Sequence, residues 1–269
     1  MGADTARRLL MTVMGEFLLP SGGAAWTATF IDVLGRFEID PGTTRQALAR
    51  TAAAGWLSSE RVGRQTRWRL TASGEQLLVE GAKRIYEFAG PALDWDRHWL
   101  VVVTSVPESD RRARHLLRTR MTWAGLGSPA PGIWLGTHTD RIGEVEGVLE
   151  RAGLAETANV FVAERLALGS IHALANSTWD LAGIETEYEQ FLAEFSSAKA
   201  ADHLRTLIEL VHAWRRFPWR DPALPLELLP RDWKGARAAK LFHDRHRQWS
   251  PLANAEWQSI SGRELSVIH

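Results

Sequence analysis

Between Pro41 and Leu70 the sequence PGTTRQALARTAAAGWLSSERVGRQTRWRL sets Arg45, Arg50, Arg61, Arg64, Arg67 and Arg69 against a single acid, Glu60. A guanidinium is planar and always charged, and it can take a phosphate or a guanine edge through two hydrogen bonds. The whole chain has no excess of either sign, with 32 Lys plus Arg against 32 Asp plus Glu in 269 residues. Affinity for a polyanion would therefore come from this local surface and not from net charge.

Other residues could do chemistry of a different kind. His243 and His246 flank Asp244 in LFHDRHRQW. Three residues apart on a helix, two imidazoles could face one metal. Arg245 and Arg247 would repel a cation, however, and the pair reads as surface histidines. His138-Thr139-Asp140 follows a strand, where a general base can sit. The preferred reading is that Asp140 caps the next helix. Gly125-Leu126-Gly127 is not followed by a helix, so it makes a poor phosphate cradle. The chain has no cysteine, which excludes disulfides, thiol nucleophiles and cysteine zinc sites. No serine stands in a nucleophile-elbow setting. The expectation is a protein that is not an enzyme and carries no metal or cofactor. Its thirteen tryptophans suit core and interface anchors, or in part a ligand pocket.

Periodicity supplies the elements that must hold these residues. Leu9, Leu10, Val13 and Phe17 recur at three and four, which predicts a helix near 5–19. Ser21-Gly22-Gly23 reads as a loop. A second helix follows Trp26, with Phe30, Val33 and Leu34 inward. Asp40-Pro41 starts a third, which stops at Gly55. Residues 57–61 and 67–70 read as paired strands with Gly63 in their turn. TASGEQLL starts a helix that runs towards Phe88. Next, WLVVVTSV, 99–106, is a near-continuous apolar run and so a buried strand. The pattern continues with a helix over 111–123, a short strand from Leu126, a turn at Pro129 and Pro131, and a strand over 132–136. A helix over 140–151 and a strand over 159–166 complete it. Strand–helix–strand–strand–helix–strand is the split βαβ, ferredoxin-like plan. From 177 onward helices dominate, over 179–195, 201–217 and 235–249, with a proline-punctuated connector, DPALPLELLPRDWKG, between the last two.

On a helical wheel, Thr44, Ala47, Leu48 and Thr51 fall on one side of the third helix. Arg45, Gln46, Ala49, Arg50 and Ala53 fall on the other. Small residues among cations let a helix approach a groove wall, where Arg reads guanine and Gln reads adenine. The hairpin with Arg61, Arg64, Arg67 and Arg69 suits a wing on the phosphate backbone. The fold class is thus α+β: an N-terminal winged helix-turn-helix over 1–90, a central ferredoxin-like domain over 91–174 and a mainly helical domain over 175–269. The residues expected at double-stranded DNA are Thr43, Thr44, Arg45, Gln46, Ala49, Arg50, Arg61, Arg64, Gln65, Arg67 and Arg69.

These residues resemble the PaaX-type transcriptional repressors of phenylacetate catabolism. The likeness covers nearly the whole chain. It lies in TRQALAR at 44–50, Gly55-Trp56-Leu57, Gly63-Arg64 and LTASG at 70–74. In the C-terminal part it lies in Trp179-Asp180-Leu181, Tyr188, Phe191, LVH at 210–212, Arg215-Arg216, DPALP at 221–225 and LLPRDWKG at 228–235, the most specific of these stretches. Ala49, Thr51 and Trp68 depart from the residues commoner there, and Ala49 lies on the groove-facing side, so the operator is expected to differ. The resemblance implies a homodimeric repressor that an aryl-CoA thioester such as phenylacetyl-CoA releases from DNA. It also implies a central domain akin to a CRISPR-associated nuclease subunit that holds a metal with an aspartate at its first strand end. Here that strand ends VTSV, with no carboxylate before Glu108, so a hard cation has little to bind. The domain reads as a dimerisation or linking module.

An acyl-CoA needs cations for its phosphates and apolar surface for its acyl group. Trp214, Arg215, Arg216, Trp219, Arg220, Arg231, Trp233 and Lys234 form the best such cluster outside the N-terminal part. An ordinary domain interface would look the same. No apolar run reaches the eighteen or so residues that cross a membrane, so a cytoplasmic protein is expected. The alternatives are a regulator of this type with another effector and pathway, and a protein-interaction module without specific DNA binding.

Overall fold

The computed structural model describes residues 3–89, 95–106, 109–166 and 168–263. The Leu9, Leu10, Val13 and Phe17 stripe is the buried side of α1 (Ala3–Val13) and of a π-helical segment, Met14–Leu18, that continues it. The chain then makes a three-residue strand that periodicity does not reveal, β1 (Ala24–Trp26). Next come α2 (Thr27–Gly35) and α3 (Pro41–Ala53). The hairpin strands β2 (Leu57–Val62) and β3 (Gln65–Leu70) precede α4 (Ala72–Tyr86). The sheet runs β1-β3-β2, all antiparallel, with Trp26 opposite Arg67 and Glu60 opposite Arg67 on the other side.

A second sheet holds β4 (His98–Val103), β5 (Gly127–Ala130), β6 (Ile133–Gly136) and β7 (Asn159–Glu164), in the order β5-β6-β4-β7. Every neighbouring pair is antiparallel. Helices α5 (Arg111–Trp123) and α6 (Ile142–Arg151) pack Leu117, Met121, Val145 and Leu149 on Leu100 and Val102. The other face carries Trp99 and Val101 under α7 (Ile171–Thr178), the start of α8 (Leu181–Ser196) and the leucines of the connector, Leu224, Leu228 and Leu229. Helix α7 lies where the sequence pattern gave no element. Glu108, singled out above, lies outside the described residues.

The remaining helices are α9 (His203–Trp214), α10 (Phe217–Arg220) and α11 (Gly235–Arg263). The chain divides into two compact units, one of Met1–Glu87, Glu194–Trp214 and Lys240–His269, the other of Phe88–Ala193 and Arg215–Ala239. In the first unit, Trp257 of α11 stacks on Phe17 at 5.4 Å and meets Phe30 edge-on at 6.3 Å. Phe242 stacks on Trp214 at 4.8 Å, and the Trp214 Nε1–H donates to the Ile85 carbonyl at 3.1 Å. Arg36, after α2, bonds Asp202 at 2.8 Å and Glu256 at 2.6 Å. Helix α11 continues past Trp249, where the pattern ended it, because Pro251 removes one N–H without stopping the helix.

In the second unit the connector is held by side chains. Asp221 accepts the Tyr188 hydroxyl at 2.7 Å and the Ala223 N–H at 2.7 Å, and Tyr188 stacks on Phe217 at 4.2 Å. Burial raises the pKa of both Asp221 and Tyr188.

Candidate nucleic-acid interface

Helix α3 starts at Asp40, whose carboxylate accepts the Thr43 N–H at 2.9 Å and the Thr43 hydroxyl at 2.6 Å. Those bonds, the hydroxyl first, hold the Asp40 pKa below its ordinary value. Thr43 is thus engaged at the helix start. The buried face is Thr44, Ala47, Leu48 and Thr51, the side expected inward. Arg45, Gln46, Ala49 and Arg50 are exposed together on the other side. Thr44, expected among the DNA-facing residues, lies instead on the buried face. Its side chain is fully buried and its hydroxyl donates to the Asp40 carbonyl at 3.2 Å, so it supports the helix from within.

The hairpin distributes its arginines by strand alternation. Arg67 and Arg69 share a face with Glu60, which lies 3.6 Å from Arg69. The Arg67 guanidinium sits 5.9 Å from the Trp26 ring centre. Arg61 projects from the opposite face and its Nε–H donates to the Gly63 carbonyl at 3.3 Å. Arg64 is exposed in the turn beside Gly63, where φ is +60°. Gln65 is half-buried, and its carboxamide oxygen has no hydrogen-bond partner among the described residues. The hairpin is fastened to α3 from behind: the hydroxyls of Thr71 and Ser73 both donate to the Gly55 carbonyl, at 2.6 and 2.9 Å. At Gly74 a Cβ would stand 2.1 Å from the Trp56 carbonyl oxygen, so only glycine lets α4 cross there. The arrangement is an exposed cationic helix face beside a hairpin with an arginine at its tip, on a rigid base.

The residues expected at an effector do not form one group. Trp214 is fully buried in the first unit, while the others belong to the second. Arg216 and Arg220 share Glu187, at 3.6 and 2.8 Å. Lys234 lies 3.0 Å from Asp232 and 3.9 Å from Glu185. Trp219 meets Trp123 edge-on at 5.4 Å, and Trp233 meets Tyr188 edge-on at 5.7 Å. Arg231 is exposed.

His246 is no surface histidine: its Nε2 lies 2.7 Å from a carboxylate oxygen of Glu16, whose other oxygen accepts the Tyr86 hydroxyl. Among the described residues no three or more acids and histidines gather as a metal set. Asp140 does not cap α6, which starts without a side-chain cap. His138 donates from Nε2 to the Ala223 carbonyl at 2.9 Å instead, and burial followed by Arg141 lowers its pKa. A second row of cations lies outside the arginine-rich stretch. Arg111, Arg114, His115 and Arg118 recur at three, four and seven along α5 and are all exposed, a spacing that marks one helix face.

Three family models match the chain: PaaX-like protein over 5–74, PaaX protein central Cas2-like domain over 92–175, and PaaX-like protein C-terminal domain over 179–259. The transcriptional repressor PaaX of Escherichia coli K12 is 28% identical over 261 residues, covering 92% of this chain and 81% of that protein. The uncharacterized protein Rv0674 from Mycobacterium tuberculosis has a similar fold. Its TM-score is 0.62 at 22% identity, covering 91% of this chain and 97% of that one.

Proposed function

The chain belongs to the PaaX family of transcriptional regulators, and from that premise we propose that it represses transcription by binding double-stranded DNA through α3 and the β2–β3 hairpin. The observation that carries the reading is the split of α3. Its exposed face is Arg45, Gln46, Ala49 and Arg50, and its other face is buried. Side chains of that kind read base edges from a major groove, and a basic hairpin holds backbone phosphates. Three helices followed by a hairpin support a winged helix-turn-helix. The strand order β5-β6-β4-β7 supports a ferredoxin-like plan in the middle of the chain. The matched spans favour three sequence domains, 1–90, 91–174 and a mainly helical 175–269.

The reading extends to a cytoplasmic homodimer that places two α3 helices on two half-sites. An aryl-CoA thioester such as phenylacetyl-CoA releases it. That ligand must prefer the DNA-incompetent state, because equal affinity for both states moves nothing. No catalytic step is part of this role.

The test is fluorescence anisotropy of the protein on its own upstream DNA, with unrelated DNA as competitor and the salt concentration fixed. Specific binding, lost on addition of phenylacetyl-CoA but not of phenylacetate, is the expected result. Specific binding that neither compound moves would remove the effector and keep the repressor. Equal affinity for both DNAs across a range of salt would sink the reading in favour of a protein-interaction role.

A further inference from the structure

A cleft of about 1450 Å³ opens where β4 ends and β6 begins, and every residue lining it belongs to the second unit. Cofactor and drug sites commonly span about 300–1,000 Å³, so this one suits a long ligand. One wall is α5, which presents Arg114, His115 and Arg118 to the cleft, and Arg220 stands on another side. Among the described residues neither His115 nor Arg118 takes part in an ion pair. The acid in the lining, Asp180, has one carboxylate oxygen accepting the Gly183 N–H at 3.0 Å, at the start of α8. The cleft is therefore cationic, and arginines on a helix face are the groups that recognise phosphate.

Two further features distinguish the cleft from a solvated charge patch. The Thr104 hydroxyl and the Trp179 indole N–H line it, are buried, and have no hydrogen-bond partner among the described residues. A buried polar group left unpaired costs about 1–3 kcal/mol, so such groups call for a partner. Beside them Val103 and Ile133, opposite each other in the sheet and both in the lining, are 42% and 37% exposed. Cations from α5 and two exposed apolar side chains thus line one cleft.

We propose that this cleft is the effector site, and that it takes a phosphorylated acyl thioester. Its phosphates lie along Arg114 and Arg118, and its acyl end lies on Val103 and Ile133. The proposal rests on the aryl-CoA reading above and moves the phosphate contacts from the 214–234 cluster to α5; Arg220 of that cluster borders the cleft but is tied, like Arg216, to Glu187.

Isothermal titration of the full-length protein with phenylacetyl-CoA, free CoA and phenylacetate tests it. The variants are Arg114→Gln/Arg118→Gln and, separately, Thr104→Val, with operator affinity and melting temperature as controls. The double variant should weaken the thioester and free CoA at least tenfold while operator affinity and melting temperature stay at the wild-type value. Thr104→Val should weaken the thioester several-fold. Wild-type thioester affinity in both variants overturns the placement and leaves the effector reading intact. A double variant that keeps the thioester but loses operator affinity overturns it too, and makes α5 a DNA contact. No thioester binding by a wild type that still binds its operator specifically removes the effector reading and this site with it.

Discussion

Arg45 and Arg64 carry the same charge but stand in different places, so they should fail in different ways. Arg45 lies mid-face on α3, next to Gln46, where a guanidinium can meet a base edge. Arg45→Ala is expected to weaken operator binding by about tenfold or more and to relax preference at one base pair. Arg64 is at the hairpin tip, and Arg64→Ala should weaken all sequences alike and reduce the slope of log affinity against log salt by about one. Anisotropy titrations on operator and scrambled DNA over a salt series separate the two. A different residue sets a pH dependence of stability. Burial, then Arg141, lowers the pKa of His138 in the folded state, below the roughly 6.5 of an unfolded histidine. In that window the unfolded chain binds more protons, so the contribution is fully present above about pH 6.5 and is lost as pH falls through the folded pKa. His138→Gln keeps an N–H for the Ala223 carbonyl and does not titrate. Subtracting its denaturant-derived stability from that of wild type, pH by pH, should leave a curve that drops below about pH 6.5. A flat difference would mean that His138 is protonated equally in both states.

Helix α4 shows what an element demands that its own sequence does not announce. It holds two glycines, and both should cost helix stability by the same propensity argument. At Gly81 a Cβ would meet nothing within 4 Å, whereas at Gly74 it would meet the Trp56 carbonyl oxygen at 2.1 Å. Gly81→Ala should therefore stabilise by about 0.5–1 kcal/mol. Gly74→Ala should destabilise by about 2 kcal/mol or more, since backbone must move, and should loosen the hairpin that Thr71 and Ser73 fasten to Gly55. Thermal melts of the two variants, with operator affinity alongside, check both signs. The same contrast explains which elements were legible. The inward face of α3, its Asp40 start and the Gly63 turn could be read because each signal is local: a period, a cap, a positive φ. Strand β1 could not, because three residues show no alternation and its pairing with β3 is a long-range fact. The pattern ends α11 at Trp249, whereas the helix passes Pro251 and buries Ala253 and Trp257 beyond it. On the candidate interface, the exposed arginines of α3 are legible from the wheel. The inward turn of Thr44 is set by the same wheel, so its place among the DNA contacts was at odds with the pattern itself.

At the scale of the whole molecule, the sequence pattern shows which faces are buried but not which partner buries them. Phe17 and Phe30 are fully buried in the first unit, and Trp257, more than two hundred residues further on, lies against both. Trp214 and Phe242 close the same unit against the end of α4, and Arg36 is held by Asp202 and Glu256. The unit that carries α3 and the hairpin thus has a core that includes the last helix. Trp257→Ala removes a fully buried ring from that core, which costs about 3–5 kcal/mol, a large share of the 5–15 kcal/mol that stabilises a typical domain. Its unfolding midpoint should fall sharply. Trp123, 38% exposed, gives a matched control, because Trp123→Ala removes the same side chain from a site where far less burial is lost. A fragment of residues 1–90 lacks every partner supplied by α9 and α11. It is expected to melt without a cooperative transition and to bind DNA only through salt-sensitive, sequence-independent contacts. Circular dichroism melts and competition anisotropy decide this: a fragment that unfolds cooperatively and prefers operator DNA would show that the N-terminal helices and hairpin suffice, and that the C-terminal helix only adds to a module already folded.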